Sequence, residues 1–567
     1  MNWLDALMPH LVVAPILLPM FTAALLLFPG EQARTAKSVV NLLSCLLGLA
    51  IAIFLVYWVH RQNGVGAIGV YLPSNWQVPF GIVLAVDRLS ALMLLMTSII
   101  GLGSLMFSVA GWDRAGVHFH SLFQLQLMGL NGAFLTADLF NLFVFFEIML
   151  TASYGLLLHG TGWPRVRSGL HYITMNLLAS FLFLLGIALL YGVTGTLNMA
   201  DMALKIPLIP AGDRGLLHAG AAVLAVAFLA KAAAWPLNFW LPPAYAAACP
   251  PVSALFAIMT KVGLYAILRL WTLLFPPTAV GSALFGSEVL VWGGLATLGF
   301  ASIGVLASTH LQRLVGFSVL VSSGTLLAAF GFSHSALTGG ALYYLMSSTL
   351  ALAALFLVTD LIERSRQTEE AVPEENFDDE QFPFPIDLVP PEHTNLDEQE
   401  QALIGKAIPA AMAFLGMSFM LCALLVSGLP PMSGFIGKAV MLTAVLNPEG
   451  LAVTDAVPRS AAWVMLALVI VSGLMATVSF SRAGIRFFWA PHDRAAPRLR
   501  VIECLPIVAM LAVCVLLVAR AEPVLRYTDL AARALHDPRD YIRSVMAAQT
   551  VKEGHKLPAA GTLEGKP

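Results

Sequence analysis

Four ionisable residues lie deep inside apolar stretches of the sequence: Glu147, Lys231, Lys261 and Lys438. Desolvation disfavours the charged forms of both carboxyl and amine groups, whereas pairing of opposite charges favours them. A buried glutamate and a buried lysine can therefore exchange a proton or switch partners. Such a set is suited to moving protons, and it is unsuited to chemistry that needs a nucleophile.

The order of these residues along the chain predicts a proton path. We expect Glu147 to lie next to Lys231, so that the two act as one coupled switch. Lys261 would relay protons onward, and Lys438 would be the exit. Water has to fill the gaps, because a lysine side chain is short. The alternative is that the lysines are structural and pair across helices.

The elements that position two of these lysines are interrupted by prolines. Residues 216–265 are almost wholly apolar, with five prolines between Lys231 and Lys261. With about fifteen apolar residues before it, Lys231 would lie roughly 22 Å deep in a ~30 Å hydrocarbon core. A lysine at that depth costs about 3 kcal/mol and should face the bundle interior or a wet cavity. A similar break, SGLPPMSGFIGK, precedes Lys438, which indicates two repeated halves with the path at the breaks.

The composition is that of a polytopic membrane protein. Of 567 residues, 58% are hydrophobic and 11% charged, with a mean hydropathy of +0.81. A net charge of −2 gives no basis for nucleic-acid binding. The five cysteines lack CxxC spacing, and no phosphate-binding glycine loop is present, so we expect no metal site and no cofactor.

The apolar stretches predict an all-α membrane protein with about fourteen transmembrane helices. The expected spans are residues 11–28, 39–59, 81–109, 121–137, 139–159, 169–191, 216–234, 252–274, 289–308, 311–330, 336–361, 407–426, 461–480 and 501–518. An even count puts both termini on one side. Alternate short loops hold most of the arginines, which predicts that those loops are cytoplasmic and that both termini face the outside or periplasm.

One long segment does not belong to the membrane. Residues 367–402 contain twelve Asp or Glu and no Lys or Arg, and they are rich in proline. We expect an extended or disordered cytoplasmic segment there. A solvated linker is favoured over a docking surface, and both interpretations stay open.

Several motifs resemble the proton-pumping antiporter-like family, which comprises subunits of respiratory complex I, membrane hydrogenases and Mrp-type cation/proton antiporters. The motifs are FFEIMLTASYGLL, AFLAKAAAWPLNFWLPPAYAAACPPVSALFAIMTKVGLY, YGVTGTLNMADMA, THLQRLVGFSVLVSSG and SGLPPMSGFIGK. Within the family the sequence is most similar to the D-type subunits of Mrp-type antiporters. The resemblance implies two inverted five-helix repeats, with helices seven and twelve broken. It also places the family's essential glutamate on Glu147 and its lysines on Lys231, Lys261 and Lys438.

The resemblance further implies a division of the chain into four parts. Residues 1–110 would hold helices one to three, residues 111–275 the first repeat, residues 276–490 the second repeat with the acidic insert, and residues 491–567 the last helix and a tail.

The sequence departs from the family in the eleventh span. Ser347 and Ser348 stand where relatives have histidine, and Leu352 stands where they have lysine. The two serines, together with His334 near the start of that span, are the remaining candidates for a relay between the halves. His334 is also compatible with an ordinary polar contact at a helix end.

Three functions are compatible with these features. The first is a proton-translocating subunit of a multisubunit Na+(K+)/H+ antiporter in a bacterial inner membrane, a secondary transporter that works with other subunits and not an enzyme. The second is a proton-pumping subunit of a complex I-like oxidoreductase or membrane hydrogenase. The third is a non-conducting scaffold, against which the intact Glu147, Lys231, Lys261 and Lys438 argue. The sequence does not distinguish Na+ from K+.

Overall fold

The computed structural model describes residues 3–30, 33–62, 68–370, 410–448, 459–489 and 499–550. In these ranges the chain folds into nineteen α-helices: α1 (Trp3–Leu25), α2 (Arg34–Arg61), α3 (Arg88–Val109), α4 (Phe119–Leu135), α5 (Leu139–Leu157), α6 (Trp163–Thr194), α7 (Met199–Lys205), α8 (Arg214–Lys231), α9 (Leu241–Ala247), α10 (Pro250–Leu274), α11 (Ser287–Ala307), α12 (Leu311–Gly331), α13 (Ser335–Glu370), α14 (Ala410–Ser427), α15 (Ser433–Leu446), α16 (Ser460–Gly484), α17 (Val501–Ala519), α18 (Ala521–His536) and α19 (Arg539–Met546). Two short antiparallel strands, β1 (Gly69–Tyr71) and β2 (Leu84–Val86), precede α3.

The predicted all-α membrane architecture is confirmed. Twelve helices in the described ranges are long and apolar enough to cross a membrane, and two shorter apolar helices are His10–Leu25 and Ser433–Leu446. Each of the fourteen predicted spans contains one helix. The number of crossings, the inverted repeats and the four-part division stay predictions.

The boundaries of the third span differ from the prediction. The apolar stretch begins at residue 81, but α3 begins only at Arg88. Residues before it form β2, and the carboxylate of Asp87 caps the helix by accepting a hydrogen bond from the Ser90 amide at 2.9 Å. The apolar character of this stretch therefore reflects a buried strand followed by a helix.

Two helices form the centre of the molecule. The apolar windows of α10 and α13 are fully buried, whereas those of outer helices such as α2 and α16 bury about a third of their residues. Because an outer helix in a membrane can expose apolar side chains to lipid, this division places Lys261, on α10, far from lipid.

Both predicted helix breaks are present. The first run ends at Lys231, after which Ala233 turns the chain with φ +53° and α9 begins at Leu241. The second run ends at Ser427, where Gly428 has φ +75°, and α15 begins at Ser433. The broken pairs are therefore α8 with α9 and α14 with α15.

The acidic insert lies mostly outside the described residues. Residues 367–370, expected to be extended or disordered, instead complete α13. The expectation for residues 371–402 falls on undescribed residues.

The C-terminal tail contains two helices that the sequence analysis did not predict. Helix α18 packs along α13, and the Tyr527 hydroxyl donates to the carbonyl of Arg88 at 2.9 Å. The tail thus closes one end of the bundle at the start of α3.

Candidate proton path

Glu147 and Lys231 are brought together through a third residue. The hydroxyl of Ser180, on α6, donates to Oε1 of Glu147, on α5. The ammonium of Lys231 donates to the same hydroxyl oxygen at 3.1 Å. The Ser180 hydroxyl therefore donates one hydrogen bond to the carboxylate and accepts one from the ammonium. Glu147 and Lys231, which we predicted to be neighbours, interact through this bridge.

The burial of the two charges differs. Lys231 is 5% exposed, and its Nζ lies 5.1 Å from the centre of the Phe146 ring, a cation–π contact. Glu147, which we expected to be buried, is partly exposed on the surface of this chain. Lys231 is thus the inner member of the pair.

Lys261 is held by hydroxyl groups, with no carboxylate among its hydrogen-bond partners in the described residues. It is fully buried, and its Nζ donates to Ser322 Oγ at 2.8 Å and to Ser323 Oγ at 3.5 Å, both on α12. Ser322 is in turn hydrogen-bonded to Ser348 of α13 at 3.0 Å. A chain of hydroxyls therefore runs from the amine of Lys261 across α12 to α13.

A second hydroxyl contact leads from α13 to the second broken helix. Ser347 and Ser433 are hydrogen-bonded at 2.7 Å, and Ser433 is the first residue of α15. Lys438 lies on the same helix, 6% exposed, and its Nζ donates to the carbonyl of Ser427 at 2.8 Å. That carbonyl is available because Gly428 and the residues after it leave the helix.

Close packing holds these contacts in place. A Cβ at Gly263 would lie 2.9 Å from the Ala232 nitrogen, next to the end of α8. A Cβ at Gly437 would lie 2.9 Å from the Cα of Tyr344. Glycine is required at both positions so that α10 and α15 approach the helices that carry the serines and lysines.

The structure does not bring His334 into this set. It precedes α13, and thirteen residues of helix, roughly 20 Å, separate it from Ser347. Its carbonyl accepts a hydrogen bond from Thr338, whose hydroxyl contacts His536 of α18 at 3.0 Å. Burial and the nearby His334 lower the pKa of His536 to about 4, so His536 is neutral near pH 7. Leu352, at the position of the family lysine, is 1% exposed.

Sequence reasoning missed the hydroxyls Ser180, Ser322, Ser323 and Ser433. The only available signal was a hydroxyl residue in an otherwise apolar span. It also missed Arg269, which binds Asp87 through two contacts of 2.7 Å. A charge eight residues after Lys261 was visible in the sequence and could have been paired with Asp87.

Comparisons with known proteins identify the family and the fold of the chain. Residues 136–380 match the family model described as NADH:quinone oxidoreductase/Mrp antiporter, transmembrane. The chain is 48% identical over 549 residues to the D-type component of a probable K+/H+ antiporter of Rhizobium meliloti (strain 1021), covering 96% of this chain and 98% of the relative. It is 32% identical over 546 residues to the D-type component of a Na+/H+ antiporter of Alkalihalophilus pseudofirmus, covering 95% and 100%. The fold is similar to a chain of the Mrp complex from Dietzia sp. DQ12-45-1b, with a TM-score of 0.75, 24% identity and coverage of 96% and 100%.

Proposed function

This chain belongs to the family of D-type subunits of Mrp-type monovalent cation/proton antiporters, and from this we propose that it translocates protons within a multisubunit Na+(K+)/H+ antiporter. The observation that carries the proposal is the hydrogen-bonded chain from Lys231 through Ser180 to Glu147. Acid and base functions joined by one hydroxyl are what a proton transfer needs.

The proton can move along this chain without a change in heavy-atom positions. As Lys231 gives a proton to Ser180 Oγ, Ser180 gives its own proton to Glu147. The O–H bond of the hydroxyl is replaced, and the ammonium and carboxylate become an amine and a carboxylic acid. When an ion pair becomes a neutral pair, the local electric field changes. This change can alter the proton affinity of the next group along the path.

The second half of the path would use hydroxyls and water. Lys261 can pass a proton to Ser322 and Ser348, and Ser347 leads to Ser433 at the start of α15. Water would complete the steps from Lys231 to Lys261 and from Ser433 to Lys438. In this proposal Ser347 and Ser348 replace the histidine that relatives carry, whereas His334 takes no part.

The alternative, a proton-pumping subunit of a complex I-like oxidoreductase, has less support. The matching family model covers both classes, but the two full-length relatives are named as antiporter subunits.

We propose that this subunit exchanges protons against Na+ or K+ together with other subunits, in a bacterial inner membrane, with both termini outside.

The experiment that tests the path replaces Glu147. In everted vesicles from cells that express the whole antiporter operon, we expect Glu147→Ala to abolish antiport, because the proton acceptor of the chain is lost and Lys231 is left without a carboxylate. A matched control is Glu288→Ala, because that carboxylate is 66% exposed and pairs only with the exposed Arg459 among the described residues. An assembled Glu147→Ala complex that transports at the control rate would contradict the proposal.

A further inference from the structure

A line of polar side chains enters the helices that precede the proton path. Helices α1 to α4 lie before residue 136, where the family-model match begins. At the loop end, Asp113 accepts a hydrogen bond from Ser38 at 3.2 Å and lies 3.6 Å from Nε2 of His120. The other ring nitrogen, Nδ1, contacts Nδ2 of Asn41 at 2.8 Å. A buried carboxylate and a buried histidine thus lead directly to the amide of Asn41.

The hydrogen-bond partners show which end of the Asn41 amide donates and which end accepts. Gln124 Nε2 donates to Asn41 Oδ1 at 2.6 Å, so Asn41 Nδ2 is the donor to His120. Nδ1 of His120 therefore accepts, and a neutral ring carries its proton on Nε2, facing Asp113 and Ser38. Gln124 also lines a cavity deeper in the bundle.

Beyond Gln124 lies a cavity of about 20 Å³. This is room for about one atom the size of a water molecule. Its polar lining comes from Ser44, Thr97, Ser98, Gln124 and Asn131. Asn131 lies eleven residues beyond His120 on α4, roughly 16 Å further along the helix axis.

Two of the hydroxyl groups that line the cavity already donate their hydrogens elsewhere. Thr97 Oγ1 donates to the Met93 carbonyl at 2.8 Å, and Ser98 Oγ donates to the Leu94 carbonyl at 2.9 Å. Both hydroxyls therefore offer only lone pairs to the cavity.

Asn131 is anchored with its oxygen free. Its Nδ2 donates at 2.8 Å to the carbonyl of Pro15, which has no helical donor because Pro19 lacks an N–H. Asn131 is only 9% exposed, and its Oδ1 is buried with no hydrogen-bond partner among the described residues. An unpaired buried acceptor is destabilising, so the site favours an occupant that supplies positive charge or hydrogen-bond donors.

We propose that this cavity binds a monovalent metal cation, Na+ or K+, through neutral oxygens. Side-chain amides do not titrate in the physiological range, so the part of the line beyond His120 is unsuited to relaying protons, in contrast to the Glu–Ser–Lys chain. Neutral hydroxyl, amide and carbonyl oxygens are the ligands that replace the water shell of alkali cations in membrane proteins. A divalent site would need carboxylates, and the lining contains none. Asp113 supplies a negative charge at the outer end of the line.

This inference rests on the antiport function proposed above. Its test separates the half-saturating cation concentration from the maximal rate, and the binding measurement described below does not depend on proton transfer. In the whole antiporter complex in everted vesicles, Thr97→Val and Ser98→Ala each remove one oxygen. We expect each to raise the half-saturating concentration of Na+ or K+ on the order of ten-fold, with the maximal rate retained. Asn131→Asp adds a charge and should lower that concentration. Thr272→Val is the matched control, because its hydroxyl also donates to its own helix, to the Leu268 carbonyl at 2.7 Å, away from the cavity.

A binding measurement guards against variants that assemble poorly. The thermal midpoint of the purified wild-type complex should be higher in NaCl or KCl than in choline chloride at the same ionic strength, and Thr97→Val should lose most of that difference. Comparison of the two salts identifies the preferred cation. The proposal is overturned if no alkali cation raises the midpoint, which would mean a cavity that holds water alone. It is also overturned if Thr272→Val shifts the half-saturating concentration as much as the cavity variants do.

Discussion

At the scale of the residue, Ser180 is the group on which the coupling of Glu147 to Lys231 depends. Ser180→Ala removes the bridge between them and leaves a buried ammonium short of an acceptor. At about 1–3 kcal/mol for such a loss, we expect antiport to fall roughly ten-fold or more. Ser180→Thr keeps the hydroxyl and should retain most activity. The rates are to be compared at equal membrane abundance with Ser302→Ala, whose hydroxyl donates to its own helix; normal transport by Ser180→Ala would exclude the bridge.

Lys438 allows a titrating lysine to be distinguished from a structural one. Its amine faces the carbonyl of Ser427 at a helix break, where freed backbone can line a hydrated space. Lys438→Ala should stop coupled transport. Lys438→Arg should do little better, because a guanidinium stays protonated at any working pH, whereas Lys438→Glu should keep partial function because a carboxyl also titrates. Antiport rates of the three variants decide: an active arginine variant would show that only the charge matters.

The sequence reveals the charged members of this site but not the hydroxyls. Lysine or glutamate in an apolar span is costly, so Lys231 and Lys261 stand out without any structure. Serine is tolerated on any face of a membrane helix because it can bond to its own backbone, as Ser318 does. Only the packing of α6 against α8 and of α12 against α13 shows that Ser180 and Ser348 face partners. The partners of a neutral polar residue depend on tertiary contacts that lie far apart in sequence.

At the scale of the element, the helix breaks were predictable and the capping elements were not. Prolines at 236, 242, 430 and 431 remove backbone donors, so both interruptions follow from local chemistry. Helices α18 and α19 were not predicted from the sequence, because their apolar faces are short and separated by charged residues. They are helical because they bury one face on the bundle: Tyr541 of α19 lies with its ring 5.1 Å from the Arg269 guanidinium.

The ion pair beneath α19 joins α3 to α10, the helix that carries Lys261. Asp87 and Arg269 are both buried, so Arg269→Ala leaves a buried carboxylate uncompensated and should cost about 3–5 kcal/mol. Asp87→Asn keeps a side-chain oxygen that can cap α3, so this variant measures the loss of the negative charge alone. Thermal unfolding of the purified complex measures the effect, with Arg526→Ala as control because its pair with Glu522 is exposed and worth at most about 1 kcal/mol. Equal midpoints for Arg269→Ala and Arg526→Ala would refute a stabilising role.

At the scale of the whole molecule, one end of the bundle holds several of the arginines on which the predicted orientation depends. Arg482, near the end of α16, donates to the Ser308 carbonyl at 3.0 Å, and Arg364, near the end of α13, donates to Glu503 at 2.9 Å. Gln312 of α12 donates to Glu363 of α13, so these two contacts lie at the same end. The tail helices lie at the other end, where α19 packs against β1. The first helix begins there too, because His10 contacts Tyr71 of β1. Both termini therefore lie at the end opposite this group of arginines.

Because loops rich in arginine stay in the cytoplasm, this geometry predicts the orientation of the protein in the membrane. Alkaline phosphatase, which is active only outside the cytoplasm, should be active when fused after residue 550. It should be inactive when fused in the loop between α5 and α6, next to Arg165 in the first turn of α6. Green fluorescent protein at the same two positions should give the opposite pattern, and immunoblots control for abundance. If the phosphatase were active only at the α5–α6 loop, the arginine end would be outside.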